Sequence, residues 1–132
     1  MGGRILLGLA ALGLLAGGIV HAAAFPKAAT QIGEAKLTPF LSGSFKALWL
    51  IDSMVQLLLA LLLTLVLFRP AIAGRPTLVI LGLVPLGTAV LITIFLGGFP
   101  AIYLLAGCAL ATIVGGLLHE AGATSTLEPT DH

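Results

Sequence analysis

Four long runs of apolar residues alternate with shorter polar connections along the 132-residue chain. The clearest run lies between Lys46 and Arg69 and is almost wholly apolar. A helix of about 20 apolar residues, rising about 1.5 Å per residue, crosses the roughly 30 Å hydrocarbon core of a bilayer. The pattern therefore predicts an all-α integral membrane four-helix bundle, with spans at about 5–24, 47–68, 77–96 and 101–118.

The longest connection, residues 25–45, contains prolines and charged side chains and is interpreted as a polar linker. Within it, Thr38–Pro39 is typical of a helix N-cap and first helical position, whereas Gly43 between two serines favours a break. The pattern predicts a single four-span membrane domain over residues 1–132. Its last part, 120–132, is short and polar and is expected to be a disordered tail.

The first apolar run allows two interpretations. Ala22 and Ala24, before Phe25, resemble the small-residue cleavage site of a secretory signal peptide. The run is nevertheless longer than the roughly 7–15 apolar residues of such a peptide, and it is rich in glycine. Retention as a membrane helix is therefore favoured, and cleavage of residues 1–24 is the alternative.

Composition argues against a soluble globular protein. Hydrophobic residues make up 59% of the chain and charged residues 8%, whereas a soluble domain carries about 25% charged residues. The net charge of +1, without a basic cluster, gives no basis for nucleic-acid binding. The expected surroundings are the lipid bilayer, with other membrane proteins or a second copy of the chain as possible partners.

Four spans would place both termini on the side of the connection between the second and third runs. The Lys and Arg residues divide evenly, with Arg4, Arg69 and Arg75 on that side and Lys27, Lys36 and Lys46 on the other. Since the connection from Arg69 to Arg75 is short and densely basic, both termini are predicted to lie in the cytoplasm. The predicted location is a bacterial inner membrane.

One apolar run also carries several polar side chains. At about 100° per residue, Trp49, Asp52 and Gln56 share one helix face, and His21 ends the first run on the same side of the membrane. One hypothesis is an intramembrane polar site that handles a proton or a cation. The other is that the shallow Asp52 pairs with His21 or Lys46 and only fixes the packing of the helices.

Small residues recur at one-turn spacing in the first and the fourth runs. They are Gly13 and Gly17 in the first, and Gly107, Ala111 and Gly115 in the fourth. Small residues at this spacing let helix backbones approach closely in lipid. These residues are therefore predicted to form helix-packing faces, either inside the bundle or against other membrane proteins.

The sequence shows no recognisable catalytic motif. His21, His119 and His132 lack the spacing of a metal site, and Cys108 is the only cysteine. We therefore expect no catalytic residue, no metal and no cofactor, and we do not expect an enzyme.

The first run, Arg4-Ile5-Leu6-Leu7-Gly8-Leu9 followed by Gly17, resembles the opening helix of DoxX-like small four-helix membrane proteins. His21 before a linker and the Lys46-Ala47-Leu48-Trp49 segment after it are similar to the layout of uncharacterised bacterial membrane proteins. Asp52 and Gln56 in the second run depart from the DoxX-like pattern. These resemblances imply a small four-span fold and leave the function undefined.

Two functions fit the sequence. The first is a structural or accessory subunit that packs against other membrane helices through its small-residue faces. The alternative is a small transport or binding protein for a lipophilic or ionic ligand, with a polar pocket around Asp52, Gln56 and His21.

Overall fold

The computed structural model describes residues 1–119, which form five α-helices and one short 3₁₀ turn. The all-α prediction is confirmed for this part of the chain. The tail predicted at 120–132 lies outside the described residues. The helices are α1 (Gly2–Ala23), α2 (Phe25–Glu34), α3 (Pro39–Phe68), α4 (Arg75–Leu96) and α5 (Ala101–Leu117), and the 3₁₀ turn is Pro70–Ile72.

Among residues 1–119, three helices are long and apolar enough to cross a membrane, namely α1, α3 and α4. The fourth predicted span corresponds to α5, which is apolar but has only 17 residues. At about 1.5 Å per residue α5 is about 25 Å long, the lower limit for a spanning helix. Membrane-type helices are therefore confirmed for three of the four predicted spans.

The segment predicted as a polar linker, residues 25–45, is mostly helical, because it contains α2 and the start of α3. Phe25, Ala28, Ala29 and Ile32 follow the three- and four-residue spacing of a helix, and Ala28 is buried. These residues form the apolar side of α2, which packs against α3. Because charged and polar residues lie between them, the segment is polar on average although one side of it is apolar.

The helix α3 begins with the predicted cap. The Leu41 backbone N–H donates to Thr38 Oγ1 at 3.3 Å, and Pro39 occupies the first helical position. The break considered at Gly43 does not occur, since the helix continues to Phe68. With 30 residues, α3 is about 45 Å long, which exceeds the roughly 30 Å hydrocarbon core of a bilayer. In a bilayer, its first part, beside α2, would extend beyond that hydrocarbon core.

Four of the helices pack in the order α3–α1–α5–α4, which we call the helix row. In the described part of the chain, no other pair of these four helices makes a comparable backbone approach. The contacts are antiparallel. Arg4 near the start of α1 reaches Leu67 near the end of α3, and Gly3 lies against Gly115 near the end of α5. The helices α3 and α4 therefore occupy the two ends of the row.

The core of the row lies along the contacts between neighbouring helices. Leu7 and Leu14 of α1, Leu63 of α3 and Leu78 of α4 are almost completely buried. Many large apolar side chains on the outer faces are exposed, for example Leu110, of which 59% is accessible. Such faces are unfavourable in water and suited to lipid, which is consistent with a membrane location.

The small residues that were predicted to pack helices fall into two groups, one in contacts between helices and one on the surface. A Cβ atom added at Gly13 would lie 2.5 Å from Cys108 Sγ, and one at Gly17 would lie 2.7 Å from Gln56 Oε1. One at Gly115 would lie 3.1 Å from the Gly3 carbonyl oxygen. These three glycines therefore lie in contacts between helices of the same chain. Ala111 is half-buried and packs against the core.

Gly107 lies apart from these internal contacts. It is exposed, and a Cβ added there would meet no atom within 4 Å. Close packing of α5 in this chain therefore uses Gly115 of the predicted stripe together with glycines outside it. Gly116, which contacts α4, is one of these, and a Cβ added there would lie 2.7 Å from the Leu78 Cβ.

Replacing Gly115 by leucine is expected to lower the thermal unfolding midpoint in detergent, because the side chain has no space beside Gly3 and Leu7. Overpacking of this kind costs about 1–3 kcal/mol. The matched variant Gly107→Leu adds the same volume to the same helix and should leave the midpoint unchanged. If Gly115→Leu does not fold, Gly115→Ala gives a milder comparison. Equal midpoints for the variants at both positions would contradict the α1–α5 contact.

Candidate functional site

The polar residues predicted from the sequence meet at one end of the α1–α3 contact. His21 lies in the last turn of α1, and Trp49, Asp52 and Gln56 lie on the face of α3 opposite it. Ser53, which follows Asp52 on α3, completes the group through its contact with His21. We call these five residues the polar cluster. Antiparallel packing brings the end of α1 beside the first half of α3 and so assembles the cluster.

Trp49 holds the end of α1 through two contacts. Its ring stacks on the His21 imidazole, with centroids 4.3 Å apart and planes 11° from parallel. Its Nε1–H donates to the His21 carbonyl oxygen at 2.8 Å. The last carbonyl groups of a helix have no partner within that helix, so the indole supplies one of the missing donors.

Ser53 connects His21 to the backbone of α3. Its hydroxyl oxygen lies 2.9 Å from His21 Nδ1 and 3.2 Å from the Trp49 carbonyl oxygen. When the hydroxyl donates its one hydrogen to this carbonyl, its oxygen is left to accept from an Nδ1–H group. The contact ties the end of α1 to α3.

Asp52 lies beside this contact and has two neighbours. Gln56 Nε2 donates to Asp52 Oδ2 at 2.7 Å, and His21 Nδ1 lies 3.7 Å from the same oxygen. The carboxylate thus has a neutral donor on its own helix and an imidazole on the next. A proton on the second ring nitrogen would make the His21–Asp52 contact an ion pair between α1 and α3.

The burial of the cluster decreases from Gln56 towards Asp52. Ser53 and Gln56 are buried, whereas the side chains of His21 and Asp52 are 27% and 30% exposed. Within residues 1–119, every buried side-chain nitrogen or oxygen has a hydrogen-bond partner. Because an unpaired polar group is costly in lipid, this pairing makes the cluster tolerable there. The titratable groups therefore lie at the exposed edge of the cluster, and the buried part ties the two helices together.

An open groove of about 300 Å³ lies next to the cluster, between α2 and the start of α3. Its lining is largely apolar, and Trp49 is the member of the polar cluster that contributes to it. His21, Asp52 and Gln56, predicted to line a pocket, are not among its lining residues. The groove is formed by Ala28, Gln31, Ile32, Ala35, Leu37, Phe45 and Trp49.

Across residues 1–119, no three His, Cys, Asp or Glu side chains come close enough together to hold a metal ion. Cys108 is buried where α5 meets α1, against Gly13. In this position its thiol acts as a small packing group.

Replacing His21 by glutamine is expected to increase the intrinsic fluorescence of the protein, because the stacked imidazole no longer contacts the excited indole. Trp49 is the only tryptophan, so the emission reports on this contact alone. The matched variant His119→Gln, in a histidine remote from Trp49, should leave the emission spectrum unchanged. An unchanged spectrum in His21→Gln would show that the stacked contact is absent in solution.

No family model, curated protein or solved structure matches the chain. The similarity of Arg4–Leu9 and Gly17 to DoxX-like proteins therefore stays a prediction from the sequence. The helix row and the polar cluster are the observations on which a function can be based.

Proposed function

We propose that the protein is a four-span integral membrane protein that serves as a structural or accessory subunit, packing against other membrane helices. The three long helices support three spans. The shorter α5 supports a fourth, because a bilayer can thin around a short helix at modest cost. The alternation of directions in the helix row supports both termini on one side, and the dense Arg69–Arg75 connection favours the cytoplasmic side of a bacterial inner membrane.

The observation that carries the accessory role is the open end of the helix row. Among the five helices of the described chain, α4 packs closely against α5 alone, and only 22% of its apolar stretch is buried. The corresponding fractions are 28% for α1, which has a neighbour on each side, and 33% for α3, so α4 is the least covered of the three. Helices associate in lipid through close packing and hydrogen bonds, so these uncovered surfaces are suited to further helices.

Gly107 adds a second argument. It lies on the outer face of α5, where nothing in the described chain approaches it. A glycine at such a position lets the backbone of another helix come close, as the internal glycines do within the row. A partner helix on this face is therefore compatible with the packing of α5.

The polar cluster supports a structural role in the same way. Its buried groups pair with one another, and Trp49 stacks against His21. Such pairing fixes the register of α1 against α3 and does not require a ligand. A fixed register keeps the outer faces of the row in a constant arrangement for a partner.

Extraction of the protein from its native membrane into polymer-bounded lipid discs tests the accessory role. We expect discs in which the chain is accompanied by a second polypeptide at a fixed ratio. Gly107→Leu should reduce this ratio, because the added side chain blocks close approach. The control Gly33→Leu adds the same group on the exposed side of α2, away from the open surfaces of α4 and α5, and should leave the ratio unchanged. Discs that contain only a lone copy of the chain would disprove the proposal.

A transport or binding function is the second candidate, and the partial exposure of Asp52 and His21 favours it. In this function, the exposed edge of the cluster would take up a proton or cation, and a lipophilic ligand would lie in the groove beside Trp49. The acid and the imidazole are adjacent, as in intramembrane proton relays.

Proteoliposomes test the second candidate. We expect pH-dependent uptake of protons or a monovalent cation by the unmodified protein and a loss of about tenfold or more in Asp52→Asn, because the neutral amide cannot bind a proton or a cation in the same way. Glu34→Gln removes an exposed acid from α2 and is the matched control. Equal uptake by Asp52→Asn and the unmodified protein would eliminate this function.

A further inference from the structure

A second polar group of residues lies at the opposite end of the helix row. Arg4 Nη2 donates to the Leu67 carbonyl oxygen at 2.9 Å, and Arg75 Nε donates to the His119 carbonyl oxygen at 2.7 Å. His119 Nε2 lies 3.1 Å from the Pro70 carbonyl oxygen, to which it can only donate. We call Arg4, Arg75 and His119 the basic end.

Arg4 and His119 of the basic end line a cavity of about 180 Å³. A water molecule takes about 30 Å³ of liquid volume, so the cavity has room for a small tetrahedral anion with its hydration. Among the described residues, no acidic side chain lines it. The lining consists of Met1, Gly3, Arg4, Pro70, Leu118 and His119.

Arg4 is held in place and keeps donors available. A guanidinium carries five N–H groups, and in the described chain one of them is used for the Leu67 carbonyl. That bond keeps the side chain at the cavity, while the other N–H groups can bind an anion. Arginine binds phosphate oxygens through two parallel, charge-assisted hydrogen bonds.

Two further features add positive potential at the same place. The first turn of α1, which includes Gly3 and Arg4, has backbone N–H groups without partners in the helix, and no side chain caps this end. Arg75 lies behind His119 and brings a second full charge close to the cavity wall. The cavity, the guanidinium and the helix end therefore favour the same kind of ligand.

We propose that the basic end binds a phosphate group. Two sources share this chemistry, the headgroup of an anionic phospholipid and free inorganic phosphate. The lipid source rests on the proposed membrane location, in which the ends of the row lie among the headgroups. Bound phosphate would connect the start of α1 with the α3–α4 connection and the end of α5.

Native mass spectrometry tests the lipid source. The full chain is purified in neutral-detergent micelles that contain equal amounts of phosphatidylglycerol and phosphatidylcholine. We expect one retained phosphatidylglycerol in preference to phosphatidylcholine, and a loss of about tenfold in Arg4→Gln, the effect of one charge-assisted contact. Arg69→Gln is the matched control, because Arg69 precedes Pro70 in the α3–α4 connection but does not line the cavity.

Inorganic phosphate tests the other source in lipid-free detergent. We expect it to raise the thermal unfolding midpoint relative to chloride at equal ionic strength, and Arg4→Gln should abolish the increase. If Arg4→Gln does not fold, Leu118→Glu places a carboxylate at the cavity and should have the same effect. A phosphate response without lipid preference assigns the site to free phosphate.

The proposal is overturned if the unmodified protein shows neither lipid preference nor a phosphate response, or if Arg69→Gln loses as much as Arg4→Gln. These results are separate from the accessory role. A lone chain in native lipid discs would disprove the accessory role and leave a phosphate response intact.

Discussion

The contact of α1 with two neighbours is the interaction on which the described structure depends. One side of α1 packs on α3 and the other on α5, so α1 joins the two halves of the helix row. Lipid supplies no hydrophobic force between helices, and close packing with hydrogen bonds must hold them. Arg4 fixes one end of α1 to α3, and His21 with Trp49 fixes the other. Glycines along α1 allow α5 to approach between those ends.

Polar chemistry in the described chain is concentrated at the two ends of the row. The polar cluster lies at one end, and the basic end lies at the other. Between them, the polar side chains are mainly threonines that bond within their own helices, as Thr112 does to the Cys108 carbonyl oxygen at 2.8 Å. An apolar middle is stable in hydrocarbon without further partners. This distribution is why a packing role fits the row better than a path across it.

Particular residues show which parts of the structure could be predicted from the sequence. The apolar runs located the long helices to within a few residues, except that α3 begins eight residues before its predicted span. Trp49, Asp52 and Gln56 could be placed on one face because helical geometry is local. The helix α2 could have been found from the spacing of Phe25, Ala28 and Ile32. The different surroundings of Gly107, which is exposed, and Gly115, which packs against α1, could not be predicted from the sequence. They depend on where α1 crosses α5.

The sequence by itself determined that the chain is helical and apolar enough for a membrane, because both properties depend on residue type and short-range periodicity. It also determined which polar side chains share a face of α3. Only the tertiary structure decided that His21 stacks on Trp49, that Arg4 and His119 surround one cavity, and that α3 and α4 lie at opposite ends of the row. The physical reason is that these features join residues far apart in the chain, and their positions follow from which small residues let two backbones meet.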